Sequence, residues 1–410
     1  MKIKSIKINI LNEPKKYYDI SVPEYESFVV GKSKIVVHNS ALNQAIIGMA
    51  QSYKNSMPLL DEIGQFGSLR SPEAGAPRYI STRLHPNFRL LYKDFELLES
   101  KIEEGNEIEP NFFLPIIPTV LLNGSSGIAV GFATNILNRN PKTLIDACLD
   151  HLDSKKIREL PPWIKDFTGG IYKDEEKSNR WIFEGKYAVT NTSTIIISEL
   201  PPSTTYEKYE KHLNSKLAKK EIASYEDNCS QNINYEIKFS RTNLATFLKK
   251  EKIEDLFKLQ EYETENLTTL DETGKLKIFK SAKDIVQYFV DFRLNYYQKR
   301  KDYLIDKSEY EVKILSNKAR FIKGIIDNEI KVNKVPKDKI IESLSKLKFD
   351  KIDDSYSYLL SMAIHSLTKE KYDELMNQFE IKKAELIETK KLIPKEMYIN
   401  DLKELKKSLK

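Results

Sequence analysis

The sequence predicts an α+β protein with several domains, and three features of the chain indicate this. The first 39 residues alternate polar and apolar side chains in short runs, as strands do. Residues 160–280 mix strand patterns, such as RWIFEGKYAV and STIIISEL, with charged helical segments. Two long helical patterns follow, at about 282–326 and about 368–391. A chain of 410 residues is long enough for roughly two to four domains.

Composition narrows the class of protein. Hydrophobic residues make up 40% of the chain and charged residues 31%, which is typical of soluble globular proteins. The formal net charge of +6 is small, so any nucleic-acid surface must be local. Cys148 and Cys229 have neither disulfide nor metal spacing and fit a reducing compartment. The apolar run FFLPIIPTVLLNGSSGIAVGF is cut by Pro, Asn and Gly, which argues against a membrane span, and we expect a cytoplasmic protein.

The N-terminal elements are short. MKIKSIKINIL, YYDISV, FVV and KIVV predict strands, separated by proline and glycine. A helical pattern starts at Ser40, a residue type suited to the N-cap, and continues through Leu42, Ile46 and Met49. Residues 57–95 are rich in glycine and proline and contain the segment EIGQFGSLRSPEAGAPRYISTRL.

The two long helices predict an antiparallel coiled coil with a small globular tip. In the first helix, aromatic residues recur every seven positions and we expect them to pack in the coiled coil. These residues are Phe289, Tyr296, Tyr303 and Tyr310, with Val290, Tyr297 and Leu304 beside them. The second helix keeps one apolar face, formed by Leu375, Phe379 and Leu386, and Pro336 falls in the insert between the helices.

The strand pattern IVV ends on His38-Asn39-Ser40, a triplet able to cleave its own backbone. The amide of an asparagine can attack its own carbonyl carbon, form a succinimide and release the next residue's amine. A neighbouring histidine can protonate the scissile amide, and a hydroxyl at the next position can first accept an acyl group. An isolated Asn-Ser pair most often means only a turn, so the surrounding residues decide.

Those residues, YYDISVPEYESFVVGKSKIVVHNS, resemble the C-terminal end of inteins, the self-splicing protein insertions. The resemblance implies that Asn39 cyclises, His38 assists, Asp19 supports the site and Ser40 is the downstream nucleophile. Glu26 stands where the family usually has a second histidine. With only 39 residues before the break, the unit resembles the C-terminal piece of a split intein whose other half lies on a separate chain. There are two alternatives: a gene broken in sequencing or in evolution, and a plain β-hairpin appendage.

A second candidate site is the Arg78-Tyr79 pair. A phenol is a poor nucleophile at neutral pH because its pKa is about 10. A nearby cation favours the phenolate and neutralises charge on an attacked phosphate, for which a guanidinium is well shaped. Arg70, Arg83 and Arg89 add local positive charge to this region. Most Arg-Tyr pairs are not catalytic, so the pair alone decides little.

The segments LLDEIGQFGSLR, AGAPRYISTRL and PNFFLPIIPTVLLNGSSGIAVGFATNI resemble the breakage-reunion part of type IIA DNA topoisomerases, including the eukaryotic enzyme and the T4-like phage medium subunit. ELPPSTTYEKY, YFVDFRLNYYQKR and YLLSMAIHSLTKEK extend the likeness from Ser40 almost to the C-terminus. The resemblance implies that Tyr79 attacks a DNA phosphate and holds the 5′ end, while Arg78 stabilises the transition state. Arg70 and Arg83 are expected to contact DNA, and Ile128 to wedge between base pairs, with Asn123, Gly124 and Gly127 shaping its loop.

The resemblance also implies four units. Residues 1–39 are a C-terminal split-intein fragment, and 40–98 are the C-terminal part of a winged-helix DNA-cleavage domain. Residues 99–281 form an α/β tower domain with the DNA-bending loop, and 282–410 form the coiled coil with the C-gate dimer contact. The helix starting at Ser40 is then the remainder of an interrupted helix.

No acidic Toprim-type motif or ATP-binding glycine motif is evident in the sequence, so Mg²⁺ and ATP are expected on partner chains. The expected partners are duplex DNA, the intein-containing N-terminal half, a second copy through the C-gate, and an ATPase/Toprim subunit. The source is expected to be a phage or other virus, which would locate the protein in the host cytoplasm. Two rival interpretations remain: an inactive DNA-binding and dimerisation remnant, and an unspliced subunit that complements the upstream piece noncovalently.

Overall fold

The computed structural model describes residues 27–30, 35–129, 131–230, 232–249, 253–363 and 367–409. The predicted strands MKIKSIKINIL and YYDISV, with Asp19 and Glu26, lie outside the described residues. The strands predicted at FVV and KIVV are confirmed as β1 (Ser27–Val30) and β2 (Ile35–His38), which pair antiparallel. Helix α1 (Asn39–Ala50) follows β2 without a loop. It begins one residue before Ser40, so Ser40 lies in the first turn rather than at the N-cap.

Short helices and antiparallel strands make up the chain from α1 to the first long helix. The helices are α2 (Pro86–Leu91), α3 (Thr119–Leu122), α4 (Pro141–Leu152), α5 (Tyr206–Ala218), α6 (Arg241–Lys249) and α7 (Ile253–Leu256), with 3₁₀ turns at Pro77–Tyr79 and Phe95–Leu97. The strands are β3 (Ser100–Glu103), β4 (Asn106–Pro110), β5 (Ser125–Ala129), β6 (Phe132–Ile136), β7 (Gly170–Lys173), β8 (Arg180–Glu184), β9 (Lys186–Asn191), β10 (Thr194–Glu199), β11 (Ser224–Asp227), β12 (Tyr235–Lys238), β13 (Gln260–Thr264), β14 (Thr268–Leu270) and β15 (Leu276–Ile278).

Two small sheets organise these strands. The first has the order β11-β12-β10-β9 and the second the order β13-β8-β7, while β3-β4, β5-β6 and β14-β15 are two-stranded hairpins. The strands predicted from RWIFEGKYAV and STIIISEL are therefore confirmed as β8, β9 and β10. Ile195 and Ile197 of β10 are fully buried and pack against Tyr209 and Leu213 of α5, which gives the first sheet a core of its own.

The two long helices are confirmed at nearly the predicted bounds. They are α8 (Ala282–Ile326) and α11 (Lys369–Lys391), and α9 (Lys337–Lys346) and α10 (Ser357–Leu360) lie in the insert between them. Ser281 starts α8 with a capping box, since its hydroxyl and the Asp284 carboxylate exchange hydrogen bonds with each other's backbone N–H. Leu375 of α11 packs on Ala319 and Ile322 of α8, and the insert forms a small separate core.

The aromatic repeat of α8 does not form the expected continuous packed stripe. Val290 and Tyr297 are fully buried, but Tyr303 and Tyr310 are 38% and 48% exposed. A straight α-helix drifts by about 20° per heptad relative to a seven-residue repeat, so a stripe that is buried at one end rotates into solvent further on. The prediction that all these aromatics pack in the coiled coil is wrong for its distal half.

The last helix, α12 (Pro394–Ser408), returns to the body of the protein. Tyr398, Leu402 and Leu405 lie on one face at helical spacing and are buried in the largest core, together with residues of α3, α4 and the first part of α8. Met57 and Leu91 belong to the same core. The sequence assigned these segments to three units, whereas the structure packs them around one core. None of the helices in the described part of the chain is long and apolar enough to cross a membrane.

Candidate nucleic-acid interface

Tyr79 lies at the end of a 3₁₀ turn that its own sequence favours. Pro77 occupies the first turn, where a missing N–H costs nothing, and the backbone N–H of Tyr79 donates to the Ala76 carbonyl at 2.8 Å. The Tyr79 side chain is 74% exposed. The guanidinium carbon of Arg78 lies 4.9 Å from the centre of its ring. The structure therefore presents a phenol and a cation together, both open to solvent.

The loop before Tyr79 is closed by backbone contacts and held against α1. Gly75 N–H donates to the Gln65 carbonyl at 2.8 Å, which closes the loop between them. Gly67 has a φ of +87°, and a Cβ there would lie 2.7 Å from the Pro72 carbonyl oxygen, so the turn requires glycine. From the residue directly after α1, the Gln51 Nε2 group donates to the Phe66 carbonyl at 2.8 Å. Sequence reasoning did not identify Gln51, because nothing in the local pattern around it reveals a distant partner.

Arg70 does not have the exposure expected of a DNA-contacting side chain. It is only 7% exposed, and its guanidinium forms an ion pair with Glu199 at 2.6 Å. The same group donates to three backbone carbonyls beyond β10. Because these acceptors already occupy both terminal nitrogens, we revise the expectation: Arg70 is a tether between the Tyr79 loop and the β10–α5 connection.

Arg83 is placed differently. Its side chain is 76% exposed, and its Nε group donates to the Asp61 carboxylate at 2.7 Å. The backbone also joins these two residues, because Asp61 N–H donates to the Arg83 carbonyl at 2.8 Å. Arg89, near the end of α2, is exposed as well. Arg78, Arg83 and Arg89 therefore supply accessible positive charge within and just after the segment that carries Tyr79.

Ile128 lies near the tip of the β5–β6 hairpin, opposite Ala133, and is 95% exposed. A core role for this side chain is excluded by that exposure. Phe132, at the start of the partner strand β6, is 50% exposed, so the tip carries two apolar side chains in solvent. The hairpin is a projecting apolar element of the kind that inserts into another molecule.

The base of this hairpin is fixed by Asn123 and Gly124. The Asn123 amide donates to the Met57 carbonyl at 2.8 Å and accepts from the Met57 N–H at 3.0 Å. Gly124 has a φ of +71°, and a Cβ there would overlap the Asn138 side-chain oxygen. The expectation that these two residues shape the loop agrees with these contacts. Gly127 has open surroundings and ordinary φ, and nothing in the structure requires glycine there.

A buried ion pair supports the end of β6, at the base of the hairpin. Arg139, 1% exposed, donates to both oxygens of Glu265 at 2.9 and 3.0 Å. Glu265 also accepts from the Trp181 indole at 3.2 Å and from the Leu137 N–H at 3.1 Å. Burial lowers the pKa of Arg139, and the Glu265 carboxylate opposes that shift. Sequence reasoning missed this pair, because its two residues lie far apart in the chain.

The remaining predicted site residues are described only in part. His38 is the last residue of β2 and Asn39 the first of α1, with Ser40 next in that helix. Within the described ranges, no group of three or more His, Cys, Asp or Glu side chains is placed to hold a metal ion. The carboxylate of Asp61 is already paired with Arg83. Asp61 and Arg83 therefore do not fit a magnesium site.

Comparison with known proteins identifies what this arrangement resembles. The family model for the A subunit of DNA gyrase/topoisomerase IV matches residues 27–406. DNA topoisomerase 2 of Plasmodium falciparum is 32% identical over 90% of this chain, which spans 30% of that relative's length. The DNA topoisomerase medium subunit of Enterobacteria phage T4 is 33% identical over 90% of this chain, and the match covers 83% of that subunit. The crystal structure of the Plasmodium falciparum topoisomerase II DNA-binding, cleavage and re-ligation domain superposes with a TM-score of 0.81 at 32% identity, covering 90% of this chain and 55% of that one.

Proposed function

Because the chain belongs to the family of DNA gyrase/topoisomerase IV A subunits, we propose that it is the DNA-cleaving core of an ATP-dependent type IIA topoisomerase. The observation that carries the proposal is the exposed Tyr79 beside Arg78, on a turn inside the matched region. The chain spans well under half of the eukaryotic relatives it matches, so the activity is proposed for an assembly with partner chains.

In the proposed reaction, the Tyr79 oxygen bonds to a DNA phosphorus as the bond from phosphorus to the 3′ oxygen breaks. The phenol loses its proton, the 3′ hydroxyl gains one, and the 5′ end stays on the enzyme. The reverse step reseals the strand without a nucleotide, because one phosphodiester replaces another. Arg78, whose guanidinium carbon is 4.9 Å from the centre of the Tyr79 ring, would stabilise the charge that develops on the phosphate oxygens. Two copies cut both strands, and a second duplex passes through the break.

DNA contacts in this proposal come from the accessible arginines and the hairpin. Arg83, with its side chain mostly in solvent, is suited to a phosphate. Ile128 enters between base pairs from the minor groove and bends the duplex, at a cost of about a few kcal/mol that is offset by added contacts. Arg70 is left out of this surface because of its buried ion pair.

Mg²⁺ and ATP are assigned to partner chains. A bound Mg²⁺ would align the scissile phosphate and offset its charge. The described residues at the Tyr79 site include its phenol and the guanidinium groups of Arg78 and Arg83, so this chain would contribute the nucleophile and the DNA surface. The proposed assembly is completed by a second copy, through the tip between α8 and α11, together with an ATPase/Toprim subunit.

The test of this function is covalent trapping of DNA. The chain is reconstituted with its upstream half and ATPase/Toprim subunit, and DNA-linked protein is measured after detergent quenching. Tyr79→Phe is expected to abolish the linked product, whereas Tyr310→Phe, also an exposed tyrosine, should retain it. Trapping by the Tyr79→Phe enzyme would contradict the assignment. Efficient DNA binding without trapping by the wild-type assembly would favour the inactive remnant.

We further propose that residues 1–39 are removed by trans-splicing, through His38, Asn39 and Ser40 with support from Asp19. Two observations support the boundary: the chemistry of the triplet and the junction of β2 and α1 at His38–Asn39. The family match begins at residue 27, upstream of the junction. The boundary therefore depends mainly on the triplet's chemistry.

Peptide mass spectrometry on the native source tests splicing. A tryptic peptide ending in SALNQAIIGMAQSYK, with foreign residues joined before its serine by an amide bond, is expected. Recovery of IVVHNSALNQAIIGMAQSYK alone would mean that the intein is silent and that the pieces complement noncovalently. In a recombinant pair, Asn39→Ala is expected to stop cleavage at Ser40, and continued cleavage there would contradict asparagine cyclisation.

A further inference from the structure

The segment ELPPSTTYEKY has no part in the reaction proposed above, yet it contacts the loop that carries Tyr79. We propose that residues 199–206 form a clamp that positions Tyr79 for attack, with the buried Arg70–Glu199 pair at its centre. The inference rests on the proposed cleavage function. Arg70 and Glu199 are positioning residues in this scheme, since neither touches the reacting atoms.

The clamp surrounds one guanidinium. Arg70 donates four hydrogen bonds, to Glu199 Oε1 at 2.6 Å, the Leu200 carbonyl at 2.6 Å, the Pro201 carbonyl at 2.7 Å and the Thr204 carbonyl at 2.9 Å. The backbone adds a fifth contact, because the Tyr206 N–H donates to the Arg70 carbonyl at 3.1 Å. The four acceptors and the one donor all lie in ELPPSTTY, residues 199–206. A planar guanidinium fork suits this set of fixed acceptors, whereas an ammonium group does not.

The clamp side of this contact is rigid. The second oxygen of Glu199 accepts from the Thr168 N–H at 3.0 Å and from its hydroxyl at 2.9 Å, so the carboxylate is held from two directions. Pro201 and Pro202 restrict the backbone that presents the carbonyls. Leu200 is fully buried in the core between β10 and α5. The acceptors for Arg70 are therefore fixed by a packed core that lies outside the Tyr79 loop.

The position of Arg70 transmits this rigidity to Tyr79. Arg70 lies inside the loop that the Gln65–Gly75 backbone contact closes, and the 3₁₀ turn of Tyr79 begins directly after that loop. Gln51, which directly follows α1, holds the loop on its other side. Because the Tyr79 side chain is mostly in solvent, its location depends on how firmly its backbone is held. The clamp and Gln51 together supply that restraint.

Loss of the clamp should slow the chemical step rather than weaken DNA binding. Misplacement of a reacting group by about 1 Å can cost about 100-fold in rate. Arg70 is too buried to contact DNA without breaking its four hydrogen bonds, so its removal takes no phosphate contact away. A direct DNA contact would show the opposite pattern, with affinity falling and the rate at saturating DNA preserved.

The test uses the reconstituted enzyme with Arg70→Gln, Glu199→Gln and the double variant. Two quantities are measured: the rate of covalent complex formation at saturating DNA and the DNA dissociation constant. Each single variant is expected to lose about tenfold or more in rate while the dissociation constant changes less than about twofold. The double variant is expected to be no slower than the slower single, since the pair acts as one unit. Arg70→Lys should restore only part of the rate.

A matched control is available in Arg180→Gln, which breaks a partly buried ion pair with Asp174 and lies in neither the Tyr79 loop nor the Ile128 hairpin. This variant is expected to leave both the cleavage rate at saturating DNA and the DNA dissociation constant unchanged. Melting curves for all variants establish that they fold. If Arg70→Gln does not fold, the shape-conserving Glu199→Gln decides the question.

Three results would overturn the clamp. They are a wild-type cleavage rate in both single variants, a parallel loss of affinity and rate, or equal slowing by Arg180→Gln. Failure of the proposed function looks different, because it appears as DNA trapping by the Tyr79→Phe enzyme. An enzyme that needs Tyr79 but cleaves normally without the Arg70–Glu199 pair contradicts only the clamp.

Discussion

Among the places where an arginine lies over a tyrosine ring, the Tyr79 loop and the base of α8 have opposite surroundings. At the Tyr79 loop, the guanidinium carbon of Arg78 is 4.9 Å from the ring centre and both side chains are exposed. At the base of α8, Arg293 and Arg300 lie 4.4 and 4.5 Å from the centre of the Tyr297 ring, which is fully buried. The same residue types thus serve an accessible reactive site in one region and a structural joint in the other.

The joint at the base of α8 is a buried charge network. Asp94, which precedes the Phe95–Leu97 turn, accepts hydrogen bonds from both Arg293 and Arg300. Asp401 of α12 accepts from Arg300 at 2.7 Å and from the Tyr297 hydroxyl at 2.8 Å. Burial raises the pKa of Tyr297 well above its usual range. This phenol therefore stays neutral and donates its hydrogen bond from α8 to Asp401 of α12. Asp94 joins the segment after α2 to the same network.

The largest effect on stability is expected at the joint. Asp94→Ala removes the acceptor of the buried Arg293 and the partly buried Arg300, and should lower the free energy of unfolding by about 3–5 kcal/mol, because uncompensated charge is left inside the protein. Tyr79→Phe should change it by less than about 0.5 kcal/mol, since that side chain is mostly in solvent. Denaturant unfolding measures both. Equal losses of unfolding free energy in the two variants would contradict the structural role assigned to Asp94.

An intermediate effect is expected at the base of the Ile128 hairpin, which combines an exposed tip with a buried support. Gly124→Ala places a Cβ against the Asn138 side chain at positive φ and should cost about 1–3 kcal/mol. Gly105→Ala is the matched control, because Gly105 has a φ of +78° but nothing within 4 Å of its Cβ position. The difference between the two melting shifts isolates the steric part, and identical shifts would show that only φ matters.

The smallest effect is expected from acid. Burial alone would raise the pKa of Asp401, but the Arg300 charge and hydrogen bonds lower it below its usual value. A carboxyl with a depressed folded-state pKa contributes stability above its unfolded pKa of about 3.9 and loses it as pH falls through the folded pKa. The free energy of unfolding, measured between about pH 5 and pH 2, should therefore fall more steeply for wild type than for Asp401→Asn. Parallel curves would contradict the direction of this pKa shift.

Local sequence patterns determined much of the architecture. Apolar periodicity located α8 and α11 within about a residue, because side chains that share a helix face lie three or four positions apart. Alternation located β8 to β10 for a similar reason. Resemblance of whole segments indicated the family and picked out Arg78, Tyr79 and Ile128. The exposure of all three agrees with the surface roles expected of them.

Tertiary structure alone decided which charged and aromatic residues are buried. Arg70 was expected at a DNA surface, but it is buried in an ion pair with Glu199, 129 positions away. Tyr303 and Tyr310 were expected in a packed stripe, but the helix turns them outward beyond the part that packs on α4 and α12. Asp94 and Arg300 lie 206 positions apart. Burial and ion pairing depend on such distant partners, and a local pattern along the chain contains no record of which residues folding will bring together.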